Sequence, residues 1–383
     1  MKTLILTTAM IICSYITLIA GDDNKYTIGV TQVIKSHILD EERTIIISLP
    51  PDYSKTNKQY PVLYVLDGNT HFQHAVAASD YLSQYGLTPE MIIVAITNVD
   101  RNRDFTSVYD ESVPTSGGAK KFHNFIDNEL MPTINKSFRT SNYNILMGHS
   151  FGGTFVSYSL LDHPSTFDAY IAISPYLQYA DNYMIKQAKK KLRASYDKSK
   201  SLYMTVGDEP DYFEPLDSFS ALLEEKSDEA IKFLYVQMPG ENHASTPYLS
   251  LFNGLRFIYS DWVLPNEIFV LGLEAIDDHY LKVSKKYNYE VVTHENTINL
   301  LGYNYLRVGE IDESIATFKE NVKRNPNSAN VYDSLGEAYE NNNQPDLAKV
   351  NYQKACKLGK EQNLGTLSVF EENLKRVTNI LNK

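Results

Sequence analysis

A single serine stands between glycines in a pattern that can prepare a hydroxyl for nucleophilic attack. Residues 148–153 read GHSFGG, so Gly148, Ser150 and Gly152 match Gly-x-Ser-x-Gly. In that pattern the serine occupies a sharp, strained turn between a strand and a helix, and the small residues around it leave room for the turn. The alternative is a glycine-rich turn that binds an anion without chemistry. The strand-like and helical patterns on its two sides favour the nucleophile.

A serine hydroxyl needs a base, and one of the nine histidines lies in a suitable place. On such a turn the chain order is serine, acid and histidine, with the histidine in the loop after the last strand. His243 follows the apolar run 233–236 and precedes the next helical stretch. His149 belongs to the serine turn itself, and His163 lies at the far end of the helix that Ser150 starts. We therefore predict that His243 is the general base.

The acid that orients this base is predicted in the loop after the preceding strand. Residues 207–211 read GDEPD and follow the apolar run 202–206. Spacing does not choose among the three carboxylates Asp208, Glu209 and Asp211, and each of them is also compatible with a solvated loop residue. We take Glu209 as the candidate and Asp208 as the second choice.

Two backbone N–H groups are needed to stabilise the oxyanion that forms when a serine attacks a carbonyl. One is expected from Phe151, directly after the nucleophile. The other is expected from residues 66–69 (LDGN), where Gly68 permits a tight turn and the N–H of Gly68 or Asn69 can point inward. Asp67 and Asn69 are equally typical of plain turns.

The elements that must position these residues are visible in the apolar pattern. From about residue 28 to residue 262, short apolar runs alternate with amphipathic stretches, which predicts an α/β fold: a three-layer sandwich with a mostly parallel sheet. The predicted strands are residues 44–49, 62–66, 91–96, 144–147, 170–173, 202–206 and 233–236. The predicted helices are residues 71–84, 119–131, 154–162, 216–225 and 249–262.

These segments resemble the putative-esterase family of α/β-hydrolases, which includes enterochelin-esterase-like and S-formylglutathione-hydrolase-like enzymes. The resemblance rests on residues 64–68 (YVLDG), 98–105 (NVDRNRDF), 148–153 (GHSFGG), 207–209 (GDE) and 241–243 (ENH). It implies an α/β-hydrolase domain over residues 24–265, with Ser150 and His243 carrying catalysis and Glu209 at the acid position. Family members vary in the acid loop, and some manage with a Ser–His pair, so the acid stays the open point.

Two arginines follow a predicted strand and therefore lie at the edge of the sheet that carries the site. Arg101 and Arg103 come shortly after residues 91–96. Their guanidinium groups could bind an acidic group of the substrate. Salt bridges to Asp100 or Asp104 that fix the loop fit the sequence equally well.

The first residues have the layout of a secretory signal peptide. Lys2 is followed by an uncharged stretch, residues 4–20, and then by polar chain. Cleavage after Ala20 predicts a secreted or periplasmic protein that has lost Cys13 and keeps Cys356 alone, without stable membrane insertion. An uncleaved membrane anchor is the alternative, although the stretch is near the lower length limit for a span.

The pattern changes in residues 266–383, where helical segments follow one another. Residues 295–328 and 329–362 repeat the order Ile or Tyr, Leu, Gly, Tyr, small, aromatic with a 34-residue period, which resembles the tetratricopeptide repeat (TPR). Two units are fewer than the three or so that a stable stack needs, so residues 267–284 and 367–381 are expected to complete it. We expect this extension to dock on the catalytic domain or on a second copy. An ordinary pair of helical hairpins is the alternative.

Net charge and residue spacing argue against several classes of function. The net charge of −11, from 36 basic and 47 acidic residues, argues against nucleic acid as a partner. No cluster has metal-ligand spacing, so neither metal nor other cofactor is expected. The predicted function is a secreted serine esterase that acts on a small-molecule ester through an acyl-enzyme. The alternatives are an acyltransferase on the same site and a non-catalytic binding protein whose repeats hold a protein partner. The sequence does not choose among siderophore lactones, acylated sugars and short acyl esters as the substrate.

Overall fold

The computed structural model describes residues 27–197, 199–227, 230–287 and 290–382. The predicted signal peptide at residues 1–20, with Cys13, lies outside these described residues. At the centre of the described chain is an eight-stranded sheet. Its strands are β1 (Val30–Ser36), β2 (Glu41–Ser48), β3 (Tyr60–Val65), β4 (Ile92–Ile96), β5 (Thr140–His149), β6 (Ala169–Ile173), β7 (Lys200–Val206) and β8 (Ile231–Gln237).

The sheet is mostly parallel, in the order β1-β2-β4-β3-β5-β6-β7-β8. The pairs β1–β2 and β2–β4 are antiparallel, and the remaining pairs are parallel. His149 at the end of β5 is level with Ile173 at the end of β6, and Ile173 is level with Thr205 near the end of β7. The residues that follow these three strands therefore emerge together at the carboxyl edge of the sheet.

Helices cover both faces of the sheet. They are α1 (Gly68–Gln84), α2 (Arg101–Phe105), α3 (Ala119–Phe125), α4 (Met131–Ser137), α5 (Phe151–Asp162), α6 (Tyr179–Lys191), α7 (Pro210–Ser227) and α8 (Thr246–Ile258). One buried apolar cluster joins the sheet to α2–α7, and a second joins it to α1 and α8. Because both faces are covered, β3, β4, β6 and β7 are buried along their whole length, which explains their continuous apolar sequences. The predicted three-layer α/β sandwich is confirmed.

The predicted strands are all present, as β2 to β8, with ends that differ by a few residues. The pattern does not predict β1, because this edge strand mixes polar and apolar residues and exposes Val30 and Val33 (58% and 55%). It also misses α2, which has five residues, and α6, whose first turn includes Ala180, Asp181 and Asn182 with positive φ.

In the described residues after 265, the secondary structure is helical throughout. The helices are α9 (Asn266–Phe269), α10 (Leu273–Tyr287), α11 (Glu295–Val308), α12 (Ile311–Arg324), α13 (Ala329–Asn341), α14 (Pro345–Glu361) and α15 (Leu367–Leu381). We call them the helical region and residues 30–258 the sheet domain. None of the helices in the described part of the chain combines the length and hydropathy that a bilayer crossing requires.

Two successive helix pairs of this region share one design. Helices α11 and α13 begin at residues 295 and 329, and α12 and α14 begin at residues 311 and 345, so both starts repeat after 34 residues. A Cβ at Gly302 would come within 2.5 Å of the Phe318 ring, and one at Gly336 would come within 2.7 Å of the Tyr352 ring. In both pairs, therefore, a glycine lets an aromatic ring of the second helix lie against the backbone of the first.

The helical region docks on the sheet domain through α10. Tyr287 is fully buried, with its ring centroid 4.8 Å from that of Tyr259 and 5.2 Å from that of Tyr143. Its hydroxyl donates a hydrogen bond to the carbonyl of Ile258 at 2.8 Å. Tyr143 lies in the amino-terminal half of β5, whereas Ser150 follows the carboxyl end of that strand. The docking contact and the serine are therefore at opposite edges of the sheet.

Candidate active site

Ser150 occupies a strained turn between β5 and α5. Its backbone has φ 59° and ψ −121°, a combination that costs energy for any residue with a side chain. The Ser150 N–H donates to the carbonyl of Ile173 in β6 at 2.9 Å, which holds the turn against the neighbouring strand. A Cβ at Gly148 would collide with the carbonyl group of Gly152, so only glycine fits two positions before the serine. The predicted strand–turn–helix geometry is thus present.

Glu209 and His243 meet next to this turn. Glu209 lies in the loop between β7 and α7, and His243 lies in the loop between β8 and α8. Oε1 of Glu209 pairs with Nδ1 of His243. The carboxylate is well shielded, with 9% of its side chain exposed. Because Nδ1 is held by the carboxylate, Nε2 is the nitrogen of this ring that is left to exchange a proton with a reacting group.

The other carboxylates of the acid loop have different surroundings. Oδ2 of Asp208 accepts a hydrogen bond from the N–H of Gly240 at 2.9 Å, so this side chain ties the acid loop to the backbone of the histidine loop. Asp211 lies in the first turn of α7 and is exposed. Of the three candidates, the geometry brings Glu209 to the histidine.

Three backbone N–H groups stand at the starts of two helices beside the serine. Phe151 is the first residue of α5, and Gly68 and Asn69 are the first residues of α1. The first N–H groups of a helix have no acceptor within the helix, and the helix dipole favours negative charge there. Gly68 is buried, and a Cβ on it would approach the backbone of Ala95 and Ile96 at 3.0 Å, so glycine lets α1 start close to β4.

Arg101 links the loop after β3 to the serine turn. Its Nε donates to Oδ1 of Asp67 at 2.6 Å, and its Nη2 donates to Oδ2 of Asp67 at 3.0 Å. The same Nη2 donates to the carbonyl of His149 at 3.0 Å. Asn98 also donates to Oδ1 of Asp67 at 2.6 Å. The guanidinium thus joins two backbone segments, and its carboxylate partner is Asp67 rather than Asp100 or Asp104.

Arg103 belongs to an ionic network on the same loop. It donates to both carboxylate oxygens of Glu41, at 3.0 and 2.7 Å, and to Oδ1 of Asp104 at 2.8 Å. Asp104 also pairs with the buried guanidinium of Arg43. The hydrogen bonds to Glu41 raise the pKa of Arg103 above its ordinary value. These contacts favour the salt-bridge interpretation for Arg103, with Glu41 as a partner that spacing does not indicate.

Tyr212, in the first turn of α7, lies beside both the serine and the histidine. Its hydroxyl is close enough to the Ser150 side chain for the two groups to interact. Its ring centroid is 5.6 Å from that of His243. Burial, together with the negative charge of Glu209, raises the pKa of Tyr212 to about 12, so the phenol stays protonated at ordinary pH. The sequence gives no motif for this residue, and the available signal is an aromatic side chain three positions after the candidate acid.

An aromatic band borders the serine. The ring of Phe151 lies 5.5 Å from that of Tyr176, and the ring of Tyr176 lies 5.6 Å from that of Tyr212. On the other side, the His149 ring lies 4.4 Å from the His243 ring. Burial, with smaller contributions from nearby positive charges, lowers the pKa of His149 to about 3, so this neighbour of His243 is neutral at pH 7. In the ranges that the structure describes, no group of three His, Cys, Asp or Glu residues could hold a metal ion.

Three features together define an α/β-hydrolase: the order of the strands in the sheet, the serine turn, and the histidine–carboxylate pair. The family model described as Putative esterase matches residues 36–247, which contain the serine turn, the acid loop and the histidine loop. This match covers more than half of the chain, and the chain belongs to that family. It is a carboxylic ester hydrolase.

Relatives with known names or structures agree with this assignment. The chain is 26% identical over 266 residues to the ferri-bacillibactin esterase BesA of Bacillus subtilis, covering 62% of this chain and 92% of BesA. The crystal structure of an IroE-like serine hydrolase from Shewanella oneidensis is similar with a TM-score of 0.64 and 26% identity, over 75% of this chain and 96% of that one.

One solved structure is similar to this chain over the sheet domain and also over much of the helical region. A protein from Capnocytophaga ochracea, described as uncharacterised, has a TM-score of 0.68 and 18% identity, over 92% of this chain and 99% of its own. A match of that length takes in most of the helical region. The combination of an α/β-hydrolase sheet with a helical extension therefore recurs as a fold.

Proposed function

We propose that the chain hydrolyses esters through an acyl-enzyme on Ser150, with His243 as general base and Glu209 as the acid that orients it. The observation that carries this proposal is the pair between Glu209 Oε1 and His243 Nδ1 beside the strained serine turn. Nε2 of His243 takes the proton as Ser150 Oγ attacks the ester carbonyl, and returns it to the departing alcohol. Water then repeats the cycle on the acyl-enzyme. Glu209 fixes the ring tautomer and stabilises the imidazolium that forms.

In this proposal the oxyanion is stabilised by groups at the two helix starts. The N–H of Phe151 supplies one hydrogen bond, and the N–H of Gly68 or Asn69 supplies the other. Arg101 supports both segments, because it bonds to Asp67 on one side and to the carbonyl of His149 on the other. We therefore assign Arg101 to positioning of the oxyanion groups in preference to substrate binding.

The first substrate class to test is a siderophore ester. BesA is named as a ferri-bacillibactin esterase, and the match covers 92% of its length. The band formed by Phe151, Tyr176 and Tyr212 offers flat apolar surface beside the serine, which suits an aromatic or apolar acyl group.

The remaining parts of the chain support export and docking roles. We propose that residues 1–20 direct secretion or periplasmic export, and that residues 24–265 and 266–383 are separate domains. The 34-residue spacing of the helix pairs supports TPR units at residues 295–328 and 329–362. In this view α10 anchors the helical domain, and the outer repeats are available to a protein partner or a second copy.

Labelling and turnover together test the catalytic proposal. A fluorophosphonate should label the purified protein at Ser150, and the Ser150→Ala and His243→Ala variants should lose both labelling and hydrolysis of a p-nitrophenyl ester. A panel with a catecholate trilactone, an acetylated sugar and a short acyl ester then ranks the substrate classes. Added alcohol acceptors distinguish hydrolysis from acyl transfer. Labelling that persists in Ser150→Ala, or a wild-type protein that neither labels nor turns over, would overturn the proposal.

A further inference from the structure

Ser174 holds the side of the Glu209 carboxylate that does not face the histidine. It directly follows β6, between the strand that ends at the serine turn and the strand that ends at the acid loop. Its hydroxyl donates a hydrogen bond to Oε2 of Glu209 at 2.6 Å. The N–H of Gly207 donates to the same oxygen at 3.1 Å. The two carboxylate oxygens thus have different partners: Oε1 pairs with His243, and Oε2 accepts hydrogen bonds from Ser174 and Gly207.

The backbone of Ser174 is held in an unusual conformation. Its φ is 39°, in the left-handed region that residues with side chains seldom adopt, and the residue is fully buried. Its N–H donates to the carbonyl of Thr205 in β7 at 2.8 Å, and the hydroxyl of Thr246 lies 3.5 Å from its own hydroxyl. Strained backbone conformations concentrate at functional sites, so the strain at Ser174, together with its hydrogen bond to Glu209, points to a functional role for this residue.

The same loop also reaches the nucleophile. Two residues after Ser174, the N–H of Tyr176 is 3.4 Å from the carbonyl oxygen of Ser150, and Thr154 Oγ1 donates to the carbonyl of Tyr176 at 3.1 Å. The segment from Ser174 to Tyr176 therefore contacts both the acid and the serine turn. Its position fixes the separation between the two catalytic loops.

We propose that Ser174 is a positioning residue that acts through Glu209, an inference that rests on the proposed esterase function. A glutamate has one more rotatable bond than an aspartate, so a carboxylate on this longer side chain needs a second anchor to keep Oε1 on His243. Ser174 provides that anchor from a neighbouring strand, and Gly207 provides a weaker one from the acid loop itself. Without the hydroxyl, the buried Oε2 keeps a single donor.

Kinetics of matched variants test this role. Ser174→Ala should lower kcat by about tenfold or more with little change in KM, the size expected when a hydrogen bond to a buried charged group is lost. Ser174→Gly should lower it similarly, because glycine relieves the backbone strain yet lacks the hydroxyl. The control is Ser227→Ala, since the buried Ser227 donates to the carbonyl of Arg193 at 2.7 Å, far along α7, and should keep wild-type kcat.

A double-variant cycle separates positioning from a merely structural role. If Ser174 acts through Glu209, adding Ser174→Ala to Glu209→Ala should leave kcat unchanged from Glu209→Ala alone. An equal loss in both backgrounds, or full activity of Ser174→Gly, would overturn the proposal.

A readout that needs no turnover keeps this test independent of the proposed activity. The proton between His243 Nδ1 and Glu209 should give a far-downfield NMR resonance that is assigned by its loss in His243→Ala. It should shift or broaden in Ser174→Ala and persist in Ser227→Ala. An unchanged resonance in Ser174→Ala would contradict positioning, whatever the substrate. Failure of esterase activity in the wild type would instead contradict the proposed function alone.

Discussion

Arg101 holds the carboxylate of Asp67 at two points, with Nε 2.6 Å from Oδ1 and Nη2 3.0 Å from Oδ2. Asp67 is in the left-handed conformation, φ 52°, immediately before the first residue of α1. Because Nη2 also donates to the carbonyl of His149, one planar group joins the start of α1 to the serine turn. Only a guanidinium offers this fork of donors, and a lysine ammonium could satisfy one partner at a time.

We therefore predict that Arg101→Lys lowers kcat by about tenfold to a hundredfold and leaves KM nearly unchanged, because misplacing an oxyanion donor should cost less than the loss of about 10² to 10³ that follows its removal. The matched control is Arg376→Lys in the helical region, where Arg376 makes a similar two-point pair with Glu340 at 3.0 and 2.9 Å. That variant should keep wild-type kcat. A large rise in KM with unchanged kcat for Arg101→Lys would show that Arg101 binds the substrate instead.

The acid loop gives a second prediction, because two neighbouring carboxylates have different contacts. Glu209→Gln should lower kcat by about 10³ to 10⁴, since an amide cannot stabilise the imidazolium. His243→Ala should cost more, because it removes the base itself. Asp208→Asn should cost little, since the amide oxygen can still accept the N–H of Gly240. A damaging Asp208→Asn beside a silent Glu209→Gln would show that the acid has been misassigned.

A third prediction concerns the hydroxyl of Tyr212. Tyr212→Phe keeps the ring against His243 and removes the hydroxyl that lies near Ser150, so kcat/KM should fall by about tenfold. Because burial raises the pKa of Tyr212 to about 12, the phenol stays protonated through pH 10. Between pH 8 and pH 10, the rates of the wild type and of Tyr212→Phe should therefore change with pH in the same way. Equal rates for the two proteins at pH 8 would remove Tyr212 from the mechanism.

Residues with a local signal could be predicted from the sequence. Ser150 has its glycine pattern and His243 follows the last apolar run, so both could be found without coordinates. The choice of Glu209 over Asp208 could not be argued from spacing, because adjacent residues after one strand differ only in side-chain direction. Ser174 carries no motif at all. Its contact with Glu209 exists because β6 and β7 are paired in register, which is a property of the sheet.

Ion pairs between residues far apart in the chain could not be predicted from the sequence either. Arg101 has carboxylates beside it at Asp100 and Asp104, yet it pairs with Asp67 across 34 positions. The neighbouring carboxylates have other partners, since Asp100 caps α2 through the N–H of Arg103 and Asp104 pairs with Arg43 and Arg103. Tertiary structure decides such pairings because the strands β3 and β4 are neighbours in the sheet.

A fourth prediction follows from a buried histidine far from the serine. Burial, aided by the nearby His163, lowers the pKa of His123 to about 3, whereas an unfolded histidine has a pKa near 6.5. Between these values the unfolded chain binds a proton that the folded chain does not, so the free energy of unfolding falls as the pH falls. The contribution reaches about 1.4 kcal/mol for each pH unit below 6.5.

His123→Gln should remove that contribution and keep a polar partner for Ser159, whose hydroxyl lies 3.2 Å from His123 Nε2. Urea unfolding at pH 7, 6 and 5 should show a smaller loss of stability for the variant than for the wild type. The variant can be less stable at pH 7 without affecting this comparison, which concerns the slope with pH. Identical slopes would mean that His123 is protonated or solvated in the folded protein.

The last prediction concerns the contact that joins the helical region to the sheet domain. Tyr287 is fully buried between Tyr143, Tyr259 and Trp262, and its hydroxyl bonds to the carbonyl of Ile258. Tyr287→Ala should destabilise the protein by about 3 to 5 kcal/mol, the usual range for loss of a large buried ring. Tyr287→Phe loses only the hydrogen bond and should cost about 1 kcal/mol.

Leu281→Ala is the control on the same helix, because Leu281 is 53% exposed and should change the melting temperature little. A chain that ends at Pro265 lacks Tyr287 altogether, so it should melt at a lower temperature than the wild type. Because the contact lies at the edge of the sheet opposite Ser150, each folded variant should keep the wild-type kcat. A folded Tyr287→Ala protein with wild-type stability would refute the docking role. A folded Tyr287→Ala protein that is destabilised as expected but has lost turnover would instead show that the helical region influences the active site through the sheet.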